Sequence, residues 1–103
     1  MRDGYFESEP PANYAVDDMV VITVEPSYRA IYKQRNGQRA VVKEVLIEQF
    51  TDDPDDSDYG LWYREYKVVF VEPAHNGLQA SPYIYCEEEW MSYPQYMIEE
   101  VPV

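Results

Sequence analysis

Apolar and polar residues alternate over four short runs of this chain, a period of two that is typical of β-strands buried on one face. The runs lie at residues 19–24, 38–50, 61–72 and 83–86. Prolines and turn-forming dipeptides separate them at a spacing of about ten residues, as in small barrels and sandwiches. We therefore expect an all-β domain in which four to five antiparallel strands curl into a small barrel.

The phase of each run predicts which side chains form the core. Within 38–50 the apolar positions change phase between Val42 and Val45, which indicates a β-bulge. Within 61–72 the alternation places Trp62 and Tyr66 on the same side of the strand. The expected core residues are Val20, Ile22, Val42, Val45, Ile47, Trp62, Val68, Phe70 and Ile84.

The remaining segments predict connections and an arm rather than long helices. Residues 1–15 contain two adjacent prolines and no strand-length pattern, so we expect an extended N-terminal arm before a single barrel domain at 16–103. Loops are expected at 27–37, 51–60 and 73–82. Residues 87–97 can begin with one helical turn, which Pro94 prevents from continuing, and 98–103 can form a short last strand.

The composition narrows the possible chemistry. The 103 residues carry a net charge of −12, with one Cys and one His. A single Cys excludes an internal disulfide and a zinc site built on several Cys ligands. The sequence has no apolar run of about 18 residues and no basic start of a signal peptide, so we expect a soluble, cytoplasmic protein. With no catalytic constellation, we expect neither an enzyme nor a cofactor.

The charge is unevenly distributed along the chain. Residues 26–43 carry five bases and no acid, whereas residues 44–60 carry seven acids and no base. Such a run can be a solvated face that keeps the protein soluble, or it can steer the protein onto a basic partner. Direct binding of nucleic acid is not expected, because that binding depends on neutralising phosphates.

The acidic loop at 51–60 also has to be tested as a metal site. Asp53, Asp55 and Ser57 have the spacing of the first three ligands of a calcium loop. Asp58, however, stands where such a loop needs glycine, and Arg64 stands where it needs a bidentate glutamate. We therefore expect a solvated acidic loop and no metal.

The two residues most often used in catalysis lie in unpromising places. His75 is in a turn beside Asn76-Gly77, where an exposed bystander is expected. Cys86 follows an aromatic strand without a base beside it, so it is expected to be a small core residue rather than a nucleophile.

The aromatic residues are more informative, because a barrel of this size cannot bury them all. The chain has 11 Tyr. Six of them lie in or beside connections: Tyr28, Tyr32, Tyr59, Tyr63, Tyr93 and Tyr96. Exposed Tyr and Trp are enriched at interface hot spots, but Tyr can also fill a small core and keep its hydroxyl in water. Both interpretations remain open.

The strand pattern resembles a Src-homology-3-type small barrel, in particular its KOW-like version. Asp18 leads into the first strand, Gly37 leads into the second, and 66–70 and 83–90 are similar to the third strand and to a fourth that runs into a short 3₁₀ turn. The pattern departs from the KOW motif at Ala40, where a second glycine is usual. The resemblance implies binding of RNA, ribosomal components, proteins or modified tails, so it selects no single function.

The acidic, tyrosine-rich composition is similar to that of small inhibitors encoded by phages and of immunity proteins that neutralise nucleases. We therefore expect a stoichiometric inhibitor that docks a nucleic-acid-mimicking surface on a basic, nucleic-acid-handling partner. The expected partner-binding residues are Asp52, Asp53, Asp55, Asp56, Asp58, Tyr59, Tyr63, Glu87, Glu88, Glu89 and Trp90.

Two alternatives remain open. The first is an adaptor or structural subunit of a larger assembly, such as a virion or an enzyme complex. The second is a KOW-like module that binds nucleic acid or a ligand weakly through a secondary basic patch. That patch would consist of Arg29, Lys33, Arg35 and Arg39.

Overall fold

A long hairpin of two strands, β3 and β4, organises the fold. In the computed structural model, which describes residues 5–94, an antiparallel sheet curls around this hairpin into a half-barrel. The strands are β1 (Tyr5–Phe6), β2 (Met19–Ile22), β3 (Arg39–Gln49), β4 (Trp62–Phe70), β5 (Tyr83–Cys86) and β6 (Met91–Ser92). Their order is β1-β4-β3-β2-β6, with β5 paired to the same edge of β4 as β1. The expected all-β class is confirmed.

The predicted bulge determines which side chains of β3 enter the core. The register between β3 and β4 shifts between Val42 and Glu44, so Lys43 is the extra residue. Because of this shift, Val42 and Val45 both face the side on which Tyr66 is completely buried. The change of phase in the sequence therefore corresponds to a real irregularity of the ladder.

The core lies on the concave face of the sheet and agrees with the predicted set. Five predicted residues are buried, namely Val20, Ile22, Val42, Val68 and Phe70. The other four, Val45, Ile47, Trp62 and Ile84, are half-buried. Val24, Ala40, Tyr66, Cys86 and Met91 complete the buried apolar cluster.

The expected loop at 27–37 is wrong in part, because it contains helix α1 (Arg29–Arg35). This helix is about two turns long. Ile31 packs against the core, and Arg35 at the helix end is buried. Two 3₁₀ turns, at His75–Gly77 and Glu88–Trp90, complete the helical structure of the described residues. The second of these is the helical turn that the sequence predicted at 87–97.

The N-terminal arm is part of the described fold. Tyr5 and Phe6 pair with Tyr63 and Trp62 as strand β1. Further along the arm, the Tyr14 ring packs edge-on against Tyr66 on the concave face, with 5.8 Å between the ring centroids. The arm therefore covers part of the core.

The expected strand at 98–103 and Tyr96 lie outside the described residues. Within residues 5–94, the structure contains no helix that is long and apolar enough to cross a membrane.

Candidate functional site

The acidic loop forms the tip of the β3–β4 hairpin, which closes where the Phe50 N–H donates to the Leu61 carbonyl at 2.8 Å. Three successive turns order the loop. Their backbone bonds run from Asp56 N to Asp53 O, from Tyr59 N to Asp56 O and from Leu61 N to Asp58 O, at 3.0–3.1 Å. The loop therefore has a defined, hydrogen-bonded backbone conformation.

Aspartate side chains themselves hold these turns. Asp53 Oδ1 accepts a hydrogen bond from the Asp55 N–H at 3.0 Å, and Asp56 Oδ1 accepts one from the Asp58 N–H at 2.8 Å. This local bonding is the reason that Asp is favoured in turns. Asp58 is only 7% exposed, so it does not contribute to the surface of the loop.

Four carboxylates remain on the surface of the loop. Asp52, Asp53, Asp55 and Asp56 are exposed, and none of them forms an ion pair with another described residue. Residues 5–94 contain no group of three or more His, Cys, Asp or Glu side chains arranged to hold a metal ion. The loop thus presents several negative charges at one end of the molecule.

The two tyrosines of the expected surface differ in their surroundings. Tyr59 is 55% exposed within the loop. Tyr63 is half-buried, and its hydroxyl donates to Glu48 Oε2 at 2.6 Å across the β3–β4 ladder. This hydrogen bond, with burial and the charges of Glu48 and Glu65, raises the pKa of Tyr63 above its ordinary value. The Tyr63 side chain is therefore partly used in contacts within the sheet.

Glu88, in the middle of the expected Glu87–Glu89 cluster, is engaged inside the protein. Its carboxylate accepts hydrogen bonds from the Tyr66 hydroxyl and from the backbone and side chain of Asn13, and it lies 3.3 Å from Arg64 Nε. The side chains of Arg64 and Glu88 are 10% and 14% exposed. Glu87 and Glu89, by contrast, are exposed.

The two acidic clusters lie at different places along β4. The loop begins beyond Trp62, whereas Glu88 contacts Tyr66 four residues further along the strand. Four residues of a strand span roughly 13 Å. The expected partner-binding residues therefore fall into two groups, one in the loop and one in the 3₁₀ turn, whose Glu88 contacts Arg64 and Tyr66 on β4.

The second group lies beside a groove around Trp90. A cavity of about 270 Å³ lies between β5 and the segment that enters α1, and it meets a second cavity of about 390 Å³ beside Trp90. The Tyr28 and Trp90 rings form one wall, with centroids 5.1 Å apart and planes at 73°. The carboxylates that line the two cavities are those of Glu25, Glu65, Glu87 and Glu89. The cavities have no Lys or Arg among the described residues that line them.

The four residues of the expected basic patch differ in exposure and in partners. Arg29 and Lys33 are exposed on α1, and Arg39 forms a 3.7 Å ion pair with Glu72. Arg35 is only 5% exposed, and its guanidinium lies 4.5 Å from the centroid of the Phe70 ring.

The hydrogen bonds of Arg35 give this side chain a structural role. It donates to the Gln38 side chain at 3.0 Å and to the carbonyls of Glu72 and Ser81 at 2.7 and 2.9 Å. It thus joins the end of α1 to two later segments of the chain.

Cys86 lies in the wall of the groove around Trp90 but is buried, and His75 lies in the exposed 3₁₀ turn after β4. Burial, together with the charges of Glu65 and Glu87, raises the pKa of the Cys86 thiol to about 12. A His75 ring nitrogen lies 2.8 Å from the backbone oxygen of Asn36, so the exposed ring is bonded to the loop after α1. Among residues 5–94, neither residue has the partners that activate a nucleophile or a general base.

Sequence reasoning did not include Glu25, Tyr28 and Glu65 in the acidic surface. The only signal was that Tyr28 lies in a connection, where an exposed ring was expected. Glu25 and Tyr28 are neighbours in sequence, but folding is needed to bring Glu65 and Trp90 to them. No known family, no curated protein and no solved structure matches this chain.

Proposed function

We propose that this protein is an acidic binding module that docks on a basic, nucleic-acid-handling partner and blocks it by mimicking nucleic acid. The observation that carries the proposal is the ordered Asp loop, whose backbone turns and Asp–amide hydrogen bonds fix exposed carboxylates at the hairpin tip. Charges that are held in place before binding lose less entropy when they meet a complementary surface. Carboxylates on a rigid hairpin can thus occupy a site built for phosphates.

The proposal extends to the fold type and to the mode of action. We infer a barrel of Src-homology-3 type, supported by the curled antiparallel sheet and by the 3₁₀ turn between β5 and β6. We also infer that the protein acts by binding and not by catalysis, without a cofactor. The buried thiol of Cys86 and the bonded ring of His75 support this inference.

The test of mimicry is competition with nucleic acid. Immobilised protein is exposed to a lysate of its native host, and a retained protein is identified and purified. The proposal expects duplex or single-stranded nucleic acid to displace this protein from the partner at one-to-one stoichiometry. Raising the salt from about 50 to about 500 mM shortens the Debye length from ~14 to ~4 Å and should mainly slow association. A partner that binds nucleic acid and this protein simultaneously would overturn the proposal.

A matched pair of variants separates the loop from the overall charge. The first variant replaces Asp52, Asp53, Asp55 and Asp56 by Asn, whose amide oxygen can still accept the turn hydrogen bonds. The control replaces four other exposed acids, with Gln at Glu7, Glu9 and Glu44 and Asn at Asp17. Both variants lose four charges, so a larger drop in association rate for the loop variant assigns docking to the loop. Equal effects would mean that only net charge matters.

One observation favours the second candidate function, an adaptor in a larger assembly. Met19, Val41, Val69 and Tyr83 are successive cross-strand partners on the convex face of the sheet, and each is partly or well exposed. Such an apolar row suits a contact that depends little on charge. If this face is the interface, Val69→Lys should abolish binding to the purified partner, and neither salt nor the loop variant should affect it.

A further inference from the structure

The free edge of β5 opens into the groove around Trp90. The Phe70 N–H donates to the Pro82 carbonyl at 2.8 Å, so Phe70 and Pro82 are a hydrogen-bonded pair that continues the β4–β5 ladder, with one bond because proline has no N–H. Antiparallel ladders alternate between bonded and non-bonded pairs. The backbone groups of Ile84 and Cys86 therefore point toward β4, and those of Tyr83 and Tyr85 point away from it.

Tyr85 is the open position of this edge. The Ser81 side chain already bonds to both backbone groups of Tyr83. No described residue provides a backbone partner for Tyr85 on the outer side, and its side chain is among the exposed aromatics at 46%. An extended peptide can add to such an edge by pairing with its N–H and C=O.

The groove beside this edge is complementary to a cation. The aromatic rings of Tyr28 and Trp90 line this cavity, and Glu25 and Glu65 provide negative charge within it. A Lys or Arg side chain gains from both, because a cation is attracted by an aromatic face and by a carboxylate. The sheet already shows this kind of contact, since Lys67 Nζ lies 4.6 Å from the centroid of the Tyr83 ring.

We propose that an extended segment of the basic partner pairs with Tyr85 on the β5 edge and places a Lys or Arg side chain in the groove beside Trp90. This inference rests on the proposed function, because it specifies how a basic partner is recognised. The Asp loop steers the partner at long range, and the groove then holds one defined cationic side chain. Loop and groove act at different distances on the same partner.

The inference can be tested without the natural partner. The probe is the blocked peptide acetyl-Thr-Val-Arg-Val-Thr-amide, titrated into the full chain and followed by the amide signals in an NMR spectrum. We expect the Tyr85 amide to shift and its hydrogen exchange to slow on binding, because its N–H becomes paired. The same peptide with citrulline in place of Arg keeps the shape and loses the charge, and it should bind at least about tenfold more weakly.

Two double variants identify the groove. Glu25→Gln with Glu65→Gln removes two groove carboxylates, and Glu44→Gln with Glu48→Gln removes two acids elsewhere on the sheet. The first pair of substitutions should lower the affinity for the arginine peptide by about tenfold. The second pair should change that affinity by less than about twofold. An undisturbed amide spectrum of each free variant shows that its fold is intact.

The outcomes separate this inference from the proposed function. Equal binding of the arginine and citrulline peptides, or unchanged binding by the groove variant, would overturn cation recognition. Slowed exchange at other amides but not at Tyr85 would overturn strand pairing. If the peptide does not bind but nucleic acid competes with this protein for its host partner, the groove proposal is wrong and the proposed function is retained. If the peptide binds but nucleic acid does not compete for the host partner, the groove proposal is retained and the mimicry is wrong.

Discussion

The Tyr66 hydroxyl donates a hydrogen bond to the Glu88 carboxylate, which ties the completely buried ring of β4 to the 3₁₀ turn after β5. The same carboxylate accepts hydrogen bonds from Asn13 in the N-terminal arm and forms an ion pair with Arg64 of β4. Three segments that are distant in sequence, the arm, β4 and the 3₁₀ turn, therefore meet at one side chain. Glu88 therefore stabilises contacts between these segments, although its two neighbours in sequence are exposed to solvent.

Glu88→Ala should destabilise the protein substantially. It leaves the Arg64 guanidinium and the Tyr66 hydroxyl without their acceptor in a place that water reaches poorly. Losing one partner of such a pair costs about 2–4 kcal/mol. Urea denaturation followed by fluorescence measures this loss, and Glu89→Ala serves as the exposed control. A loss below about 0.5 kcal/mol for Glu88→Ala would contradict the network.

The Glu88 carboxylate also predicts a specific pH dependence. Burial raises its pKa, but the hydrogen bonds from Tyr66 and Asn13 and the charge of Arg64 outweigh burial, so the pKa in the folded protein lies below its ordinary value. As the pH falls, the Glu88 carboxylate is therefore protonated at a higher pH in the unfolded chain than in the folded protein. The stabilisation is complete above the ordinary Glu value of about 4.3, and it is lost as the pH falls through the lower folded-state pKa.

The measurement compares wild type with Glu88→Gln in urea between pH 7 and pH 3. Subtracting the variant removes the contributions of the other acids. The stability advantage of the wild type should shrink toward acid pH, and a constant difference would show that the Glu88 proton is not linked to folding.

Cys86 should be nearly inert toward thiol reagents in the folded protein. Burial raises the pKa of its thiol to about 12, with smaller contributions from Glu65 and Glu87. Compared with an ordinary thiol, this lowers the thiolate fraction near pH 8 by roughly a thousandfold. Ellman's reagent measures the rate in buffer and in concentrated urea. Rapid reaction of the folded protein would show that the sulfur is accessible.

Arg35→Lys should destabilise the protein although it keeps the charge. A lysine cannot reproduce the planar fork that bonds to the Glu72 and Ser81 carbonyls and lies over Phe70. We expect a loss of about 2–3 kcal/mol in the free energy of unfolding. Lys33→Gln, two residues away on the exposed side of α1, should change stability by less than about 0.5 kcal/mol. Equal effects of the two substitutions would contradict the structural role of Arg35.

Local pattern was enough to predict the four longer strands β2 to β5 and the acidic loop, but not the two-residue strands β1 and β6, which pair with distant segments. The alternation along β4 determines that Tyr66, Val68 and Phe70 share a face, and the break after Val42 marks the bulge at Lys43. The Asp-rich turns likewise depend on residues a few positions apart. Features that depend on near neighbours can be deduced from a single sequence.

Helix α1 could not be predicted in the same way. It is too short to be stable alone, and Tyr28 provides no side-chain cap for its first turn. Its stability comes from contacts with distant residues, such as the bond from Arg35 to Ser81, 46 positions later. That bond leaves no trace in the local pattern.

The groove was missed for a related reason. Glu25, Glu65 and Trp90 belong to three separate segments, and the strand register and the packing of the 3₁₀ turn bring them to one cavity. The sequence also treats Glu87, Glu88 and Glu89 as one run, whereas the folded chain buries most of the middle side chain and exposes the other two. Runs of charge indicate composition, but only tertiary structure sorts their members.

The N-terminal arm has a consequence for the order of folding during synthesis. Asn13 leaves the ribosome 75 residues before Glu88, the side chain to which it bonds. At about 5–20 residues per second the arm waits roughly 4–15 s for that partner. Tyr66 is synthesised 22 residues before Glu88, so for about 1–4 s of this interval its hydroxyl lacks that acceptor. The arm is thus translated well before the side chain that holds it, and a chain stalled before residue 88 offers incompletely covered apolar surface to chaperones.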